Sequence, residues 1–210
     1  MDVRNVQISI FDAFGFVFPG VLILFSAIIL AENDSVIHLK DAIEPFKALN
    51  TSLFIAGTFI AYVIGFLVNT FGYKLYKKVG SLLWKMPDDI KLGREQARYA
   101  VLVREFSPRN LAHLEKWNAL KAMSHNFSVS FLVLFIVCVI KTFSHLTTSG
   151  LEWICLGLAS VYFAYTILHR AYFYHRYYYE DLRHTVEALY LEEKAKNEAE
   201  SRQRYRESYD

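Results

Sequence analysis

Four stretches of this chain are long, apolar and almost free of charge, and each is long enough to cross a bilayer as a helix. A hydrocarbon core about 30 Å thick takes roughly 20 helical residues at about 1.5 Å each. The first stretch runs from Ala13 to Ala31 and the second from Ser52 to Phe71, both uncharged. The third, Phe127 to about Phe143, contains only Lys141, and the fourth, Leu151 to Leu168, only Glu152. In lipid a segment must satisfy its own backbone hydrogen bonds, which leaves helices or a closed barrel. The blocks therefore predict an all-α integral membrane protein with four transmembrane helices and helical cytoplasmic extensions of spans three and four. The chain is 54% hydrophobic, but these residues are gathered in blocks. A soluble core would interleave them with polar residues at helix or strand period. The first block is too long for a signal-peptide core, has a mixed flank (Asp2, Arg4) and precedes no A-x-A site, so it reads as a retained span.

Lys and Arg set the orientation. The connection between spans two and three has 11 of them, from Lys74 to Lys121, and the tail after span four has 8, from Arg170 to Arg206. The first connection has Lys40 and Lys47, outnumbered by Glu32, Asp34, Asp41 and Glu44, and residues 142–150 have no charge. The central loop and the tail are thus expected in the cytoplasm, with both termini, in a multi-pass protein of the cell inner (plasma) membrane. Four segments follow: 1–71, with spans one and two and the outer loop; 72–126, a cytoplasmic helical loop; 127–168, spans three and four; and 169–210, a cytoplasmic tail helix. Pro87-Asp88-Asp89 and Ser107-Pro108 break the central loop. Ser107 suits an N-cap and Pro108 a first helical residue, so span three is expected to start as a helix well before the lipid. Ser149 and Glu152 have the spacing of a capping box at the start of span four.

Several residues stand out as candidates. Gly57, Ala61 and Gly65 form a small-xxx-small face on span two, continued by Asn69, which suits tight helix packing in lipid. Pro19-Gly20 predicts a kink in span one, because Pro19 brings no N–H to the preceding turn. Neither Gly nor Pro occurs from Leu158 to Asp210. A 3-4 spacing of apolar residues runs through most of that length, including Leu168, Tyr172, His175, Tyr179, Leu182, Val186 and Leu189. It predicts one seam that faces a partner, either another copy, a partner protein or the chain's own central loop. His175 is its polar member. The residues after Leu191 are read as a fraying helix or disordered end.

Catalytic patterns are missing. There is no HExxH, GxSxG, P-loop or GxGxxG, and no acid or nucleophile set at membrane depth. Cys138 and Cys155 read as membrane-buried thiols, and Glu180 with His184 as a surface pair. No enzyme activity, cofactor or metal is expected. A net charge of +2 gives no reason to expect nucleic-acid binding. Lys77-Lys78 sits where anionic lipid could be met. Asn33-Asp34-Ser35 and Asn50-Thr51-Ser52 match the glycosylation pattern, as short patterns do by chance.

The segment FDAFGFVFPG at Phe11 to Gly20, the segment REFSPRNLAHLEKWNALK at Arg104 to Lys121, and the tail after His169 cover much of the chain. In this layout the chain resembles small four-span membrane subunits of bacterial anti-phage defence systems, nearest the Kiwa membrane subunit. The resemblance implies a homo-oligomer that detects phage attack at the inner membrane and holds a cytoplasmic effector, and it transfers no site residue. The expected function is an oligomeric sensor and scaffold acting through a cytoplasmic partner protein. The alternative is a pore that depolarises the membrane, with Asn69 and the small face of span two lining it.

Overall fold

The computed structural model describes residues 13–31, 37–42, 50–84, 93–146 and 148–207, and these form helices and turns with no strand among them. A π-helical turn, Ala13–Val17, leads into α1 (Phe18–Ala31). Then come α2 (Thr51–Leu83), α3 (Gly93–Phe106), α4 (Pro108–Ser144), α5 (Gly150–Ala188) and α6 (Leu191–Glu207). Four helical stretches are long and apolar enough to cross a membrane, at Phe14–Ala31, at Thr51–Gly80, and in α4 and α5. The all-α, multi-pass architecture follows from them. Asn33-Asp34-Ser35 and Pro87-Asp88-Asp89 lie outside the described residues.

Helix starts follow local chemistry. Asn50 is extended (φ −80°, ψ 166°), and its Oδ1 accepts the Leu53 N–H at 2.9 Å, which caps α2. Asn110 and Leu111 donate to the Ser107 carbonyl at 3.1 and 3.2 Å, and Pro108 opens α4. With no breaker after it, α4 continues for 37 residues.

The chain divides into two compact units. The first comprises Met1–Trp84 and Ala119–Tyr172, and the second Lys85–Asn118 and Phe173–Asp210. These limits fall up to 13 residues away from the lipid-based segments 1–71 and 72–126, because helices keep packing beyond their apolar stretch. Gly72, for example, lies against His125 and Asn126.

In the first unit Ile29, Ala42, Leu134, Val137, Cys138 and Trp153 form a buried core. Next to it the start of α5 holds the first connection. Trp153 Nε1 and Ser149 Oγ both donate to the Ile37 carbonyl, at 3.0 and 2.6 Å. The Glu152 carboxylate accepts the Leu39 N–H at 3.0 Å and meets His38 Nδ1 at 3.1 Å. This corrects the capping-box expectation. Both side chains bond backbone groups of the first connection, and at the α5 terminus Glu152 and Trp153 N–H donate to the Ser149 carbonyl.

In the second unit Leu102, Val103, Leu114, Leu182, Val186 and Leu191 are buried together, and Tyr99, Phe106, Leu111 and Tyr178 pack on them. Burial pushes the Tyr99 phenol up, aided by its 3.1 Å bond to Glu95. The tail does not run on as one helix, and the described residues after Leu191 are helical. It breaks at Leu189–Tyr190, where Tyr190 takes φ 49°, and α6 then continues to Glu207. Leu191 is 2% exposed, and burying it there stabilises the turn.

Candidate functional site

The densest chemistry in the first unit lies where α1, α2 and α4 meet. A Cβ on Gly20 would collide with the Ala61 carbonyl, and one on Gly65 with the Phe16 carbonyl. The two backbones therefore touch without side chains between them, as a small-residue face allows. Phe16 packs its ring beside Gly65, with centroids 5.7 Å from Tyr62 and 5.8 Å from Phe66. Of the predicted face, then, Ala61 and Gly65 are used within the chain, against span one. Gly57 is different, since a Cβ there would meet nothing within 4 Å.

The kink region is held by α4. In an α-helix the N–H of residue 19 would serve the carbonyl of residue 15, and Pro19 has none. Asn126 Nδ2 donates to the Gly15 carbonyl at 2.9 Å instead. Ser130 Oγ lies 3.0 Å from the Pro19 carbonyl and 3.1 Å from that of Asn126. Pro19 and Gly20 are both buried, and the turn directly before them is π-helical. The Gly15 carbonyl that Pro19 leaves unserved thus finds a side-chain partner, and Ser130 ties the Pro19 carbonyl to α4.

Below this, His125 meets Asn126 Oδ1 at 3.0 Å and stacks on Tyr76 at 6.4 Å. Ser128 Oγ donates to the Ala164 carbonyl at 2.9 Å and joins α4 to α5. Asn69 lies on α2 between Gly65 and Gly72, and its buried Oδ1 finds no partner among the described residues. The pore expectation placed Asn69 and the small face on a channel wall. Ala61 and Gly65 are instead covered by the backbone of span one.

The tail seam divides. Leu168, Tyr179, Leu182 and Val186 are buried, Tyr172 and His175 are half-buried, and Leu189 is 44% exposed. Leu182 and Val186 are covered by α3, α4 and α6 of the same chain, so no second copy is needed to cover them. Nearby in the second unit, Asp181 Oδ2 accepts from Trp117 Nε1 at 2.7 Å and lies 3.5 Å from His113 Nε2. Trp117 also stacks on Tyr174 with ring centroids 6.0 Å apart and meets Tyr177 at a tilt, 5.4 Å away. Glu180 is bonded to Arg176 at 2.6 Å and His184 lies 3.7 Å from Glu187, so the two do not form a pair with each other.

The sequence reading missed Asn126, Ser128 and Ser130. The signal was there: Ser124-His125-Asn126-Phe127-Ser128-Val129-Ser130 is too polar to face lipid at the start of a span. Among the described residues no group of three or more His, Cys, Asp or Glu could hold a metal ion. Comparison with protein-family models, with curated proteins and with solved structures finds no match to the chain.

Proposed function

We propose that this chain is a non-catalytic sensor and scaffold of the cell inner membrane. It assembles as a homo-oligomer with both termini in the cytoplasm and engages a cytoplasmic partner protein. The observation that carries this reading is the second compact unit. It has its own apolar core, built outside the apolar spans from α3, α6 and the polar ends of α4 and α5. A protein that only conducted ions through its spans would have no need of such a unit. The Lys and Arg of this unit and of the inner span ends, against only Lys40 and Lys47 in the first connection, support the orientation. The setting in anti-phage defence rests on the resemblance of the Phe11–Gly20 and Arg104–Lys121 segments and the tail.

The channel alternative loses much of its best wall, because span one covers Ala61 and Gly65 of the small face of span two. Expression of the chain without its partner, followed with a potential-sensitive dye, tests the choice. Membrane potential is expected to hold, and the protein extracted in mild detergent is expected to have the mass of several copies. Rapid depolarisation by this chain alone would favour the channel, and a monomeric mass would remove the scaffold reading.

A further inference from the structure

We propose that the last three turns of α2, residues 72–83, lie along the membrane surface and bind the phosphate groups of anionic phospholipids through Lys74, Lys77 and Lys78. Register within the first unit sets the course of this segment. The Ser128–Ala164 hydrogen bond sets antiparallel α4 and α5 level at those residues. His125, three residues beyond Ser128, is then level with about residue 167 of α5. Gly72 packs on His125 and Asn126. Twelve residues later a helix has advanced about 18 Å. Yet the Trp84 ring lies 5.0 Å from His169, 5.9 Å from Tyr165 and 6.0 Å from Tyr172. Those rings centre on residue 169, only about 3 Å further along α5 than residue 167. Side-chain reach covers several ångströms of the mismatch but not about 15. The end of α2 therefore runs across α5 instead of descending beside it. The crossing lies where the apolar stretch of α5 ends, at Leu168-His169-Arg170, which is the boundary between lipid and water.

The faces of this segment suit that boundary. Gly72, Tyr76 and Gly80 are buried on one side. Lys74, Lys77 and Lys78 are exposed on the opposite side. Along one edge lie the half-buried Leu75 and Val79, with Leu82 82% exposed. A helix with an apolar edge beside a basic one, held in the plane of the interface, is how amphipathic helices bind charged bilayers. Lysine stems lie along the apolar edge while the ammonium groups reach the phosphates. Neutral headgroups offer no net charge, so the occupant is an anionic lipid. Each lysine is expected to contribute about fivefold in affinity, and all three about a hundredfold.

The inference takes from the proposed function only that this end of the spans is cytoplasmic. A nanodisc presents the same lipid on both faces, so the outcome there is independent of orientation and of any partner. Two measurements on the full-length chain test it. Leu82→Cys, in a Cys155→Ala background and labelled with an environment-sensitive dye, should emit as in an apolar medium and be quenched by spin-labelled lipid. Water-like emission would overturn the in-plane placement. Native mass spectrometry of protein extracted from mixed phosphatidylglycerol–phosphatidylcholine bilayers should show phosphatidylglycerol retained. The Lys74→Gln/Lys77→Gln/Lys78→Gln variant should lose about a hundredfold in that retention, and the triple Lys→Arg variant should restore it. Equal retention of the two lipids by the native chain, or undiminished retention by the glutamine variant, would overturn the binding site.

Discussion

Gly57 and Gly65 sit two turns apart on α2, and the same substitution should be costly at one and nearly neutral at the other. At Gly65 an added methyl would collide with the Phe16 carbonyl. Backbone cannot move aside as a side chain can, so the helices must separate, at a cost of about 1–3 kcal/mol. Gly65→Ala is expected to lower the unfolding midpoint in detergent clearly, while Gly57→Ala should leave it within about 0.5 kcal/mol of the native value. The spacing of small residues was legible in the sequence, but which of them touch was not, because contact depends on where span one crosses. Tyr190 makes the reverse case. Its φ of 49° is strained for a residue with a Cβ, and its ring is 72% exposed and adds little packing. Tyr190→Gly relieves that strain but adds unfolded-state freedom, for a net gain of about 0.5–1 kcal/mol. Hydrogen exchange at α6 amides should slow accordingly, and faster exchange would contradict the strain account. Nothing in the sequence marked this turn, since neither Gly nor Pro stands there.

At the scale of elements, the four spans were readable from charge-free length alone, and so was the early start of α4 at Pro108. The tail seam was readable as a spacing but not as a face. An ideal helix drifts about 20° per heptad against a strict 3-4 pattern, so from Leu158 to Leu189 the stripe turns by roughly a quarter of the helix. Leu158 is accordingly 65% exposed while Leu182 is fully buried. Within the apolar stretch the buried stripe of α5 is Trp153, Gly157, Ser160, Ala164, Leu168 and Ala171, at the true helical period. A reading that followed only large apolar residues passed over its small members. The lower seam has a clear test. Leu182→Glu with Val186→Glu places two carboxylates in the core of the second unit, where burial without partners is strongly unfavourable. Exchange protection should collapse in α3 and α6 while the spans stay inserted. Leu189→Glu, at an exposed position, should leave protection unchanged. If the double variant keeps full protection, the core drawn here is wrong.

At the scale of the molecule, orientation rests on Lys and Arg counts alone, and reporter fusions measure it directly. Fusions after Asp89 and after Asp210 are expected to report cytoplasm, and one near Lys40 the outside. A cytoplasmic report at Lys40 would reverse the orientation and the partner reading with it. The division into a membrane unit and a second unit was visible in the sequence as apolar and charged blocks. Its limits were not, because they follow packing beyond the lipid boundary, as at Gly72 and Trp84. Ala61 and Gly65 of the small face of α2 are taken up by span one, and this bears on any self-association through that helix. What α2 still offers to neighbours is a bulky surface of Phe54, Phe59, Phe66, Leu67 and Phe71, each more than half exposed. Acyl chains wet such a surface nearly as well as protein does. Copies joined there would hold together by shape against a competing solvent, so the assembly would be reversible and tuned by acyl-chain length, fluidity and the crowding of the bilayer around it.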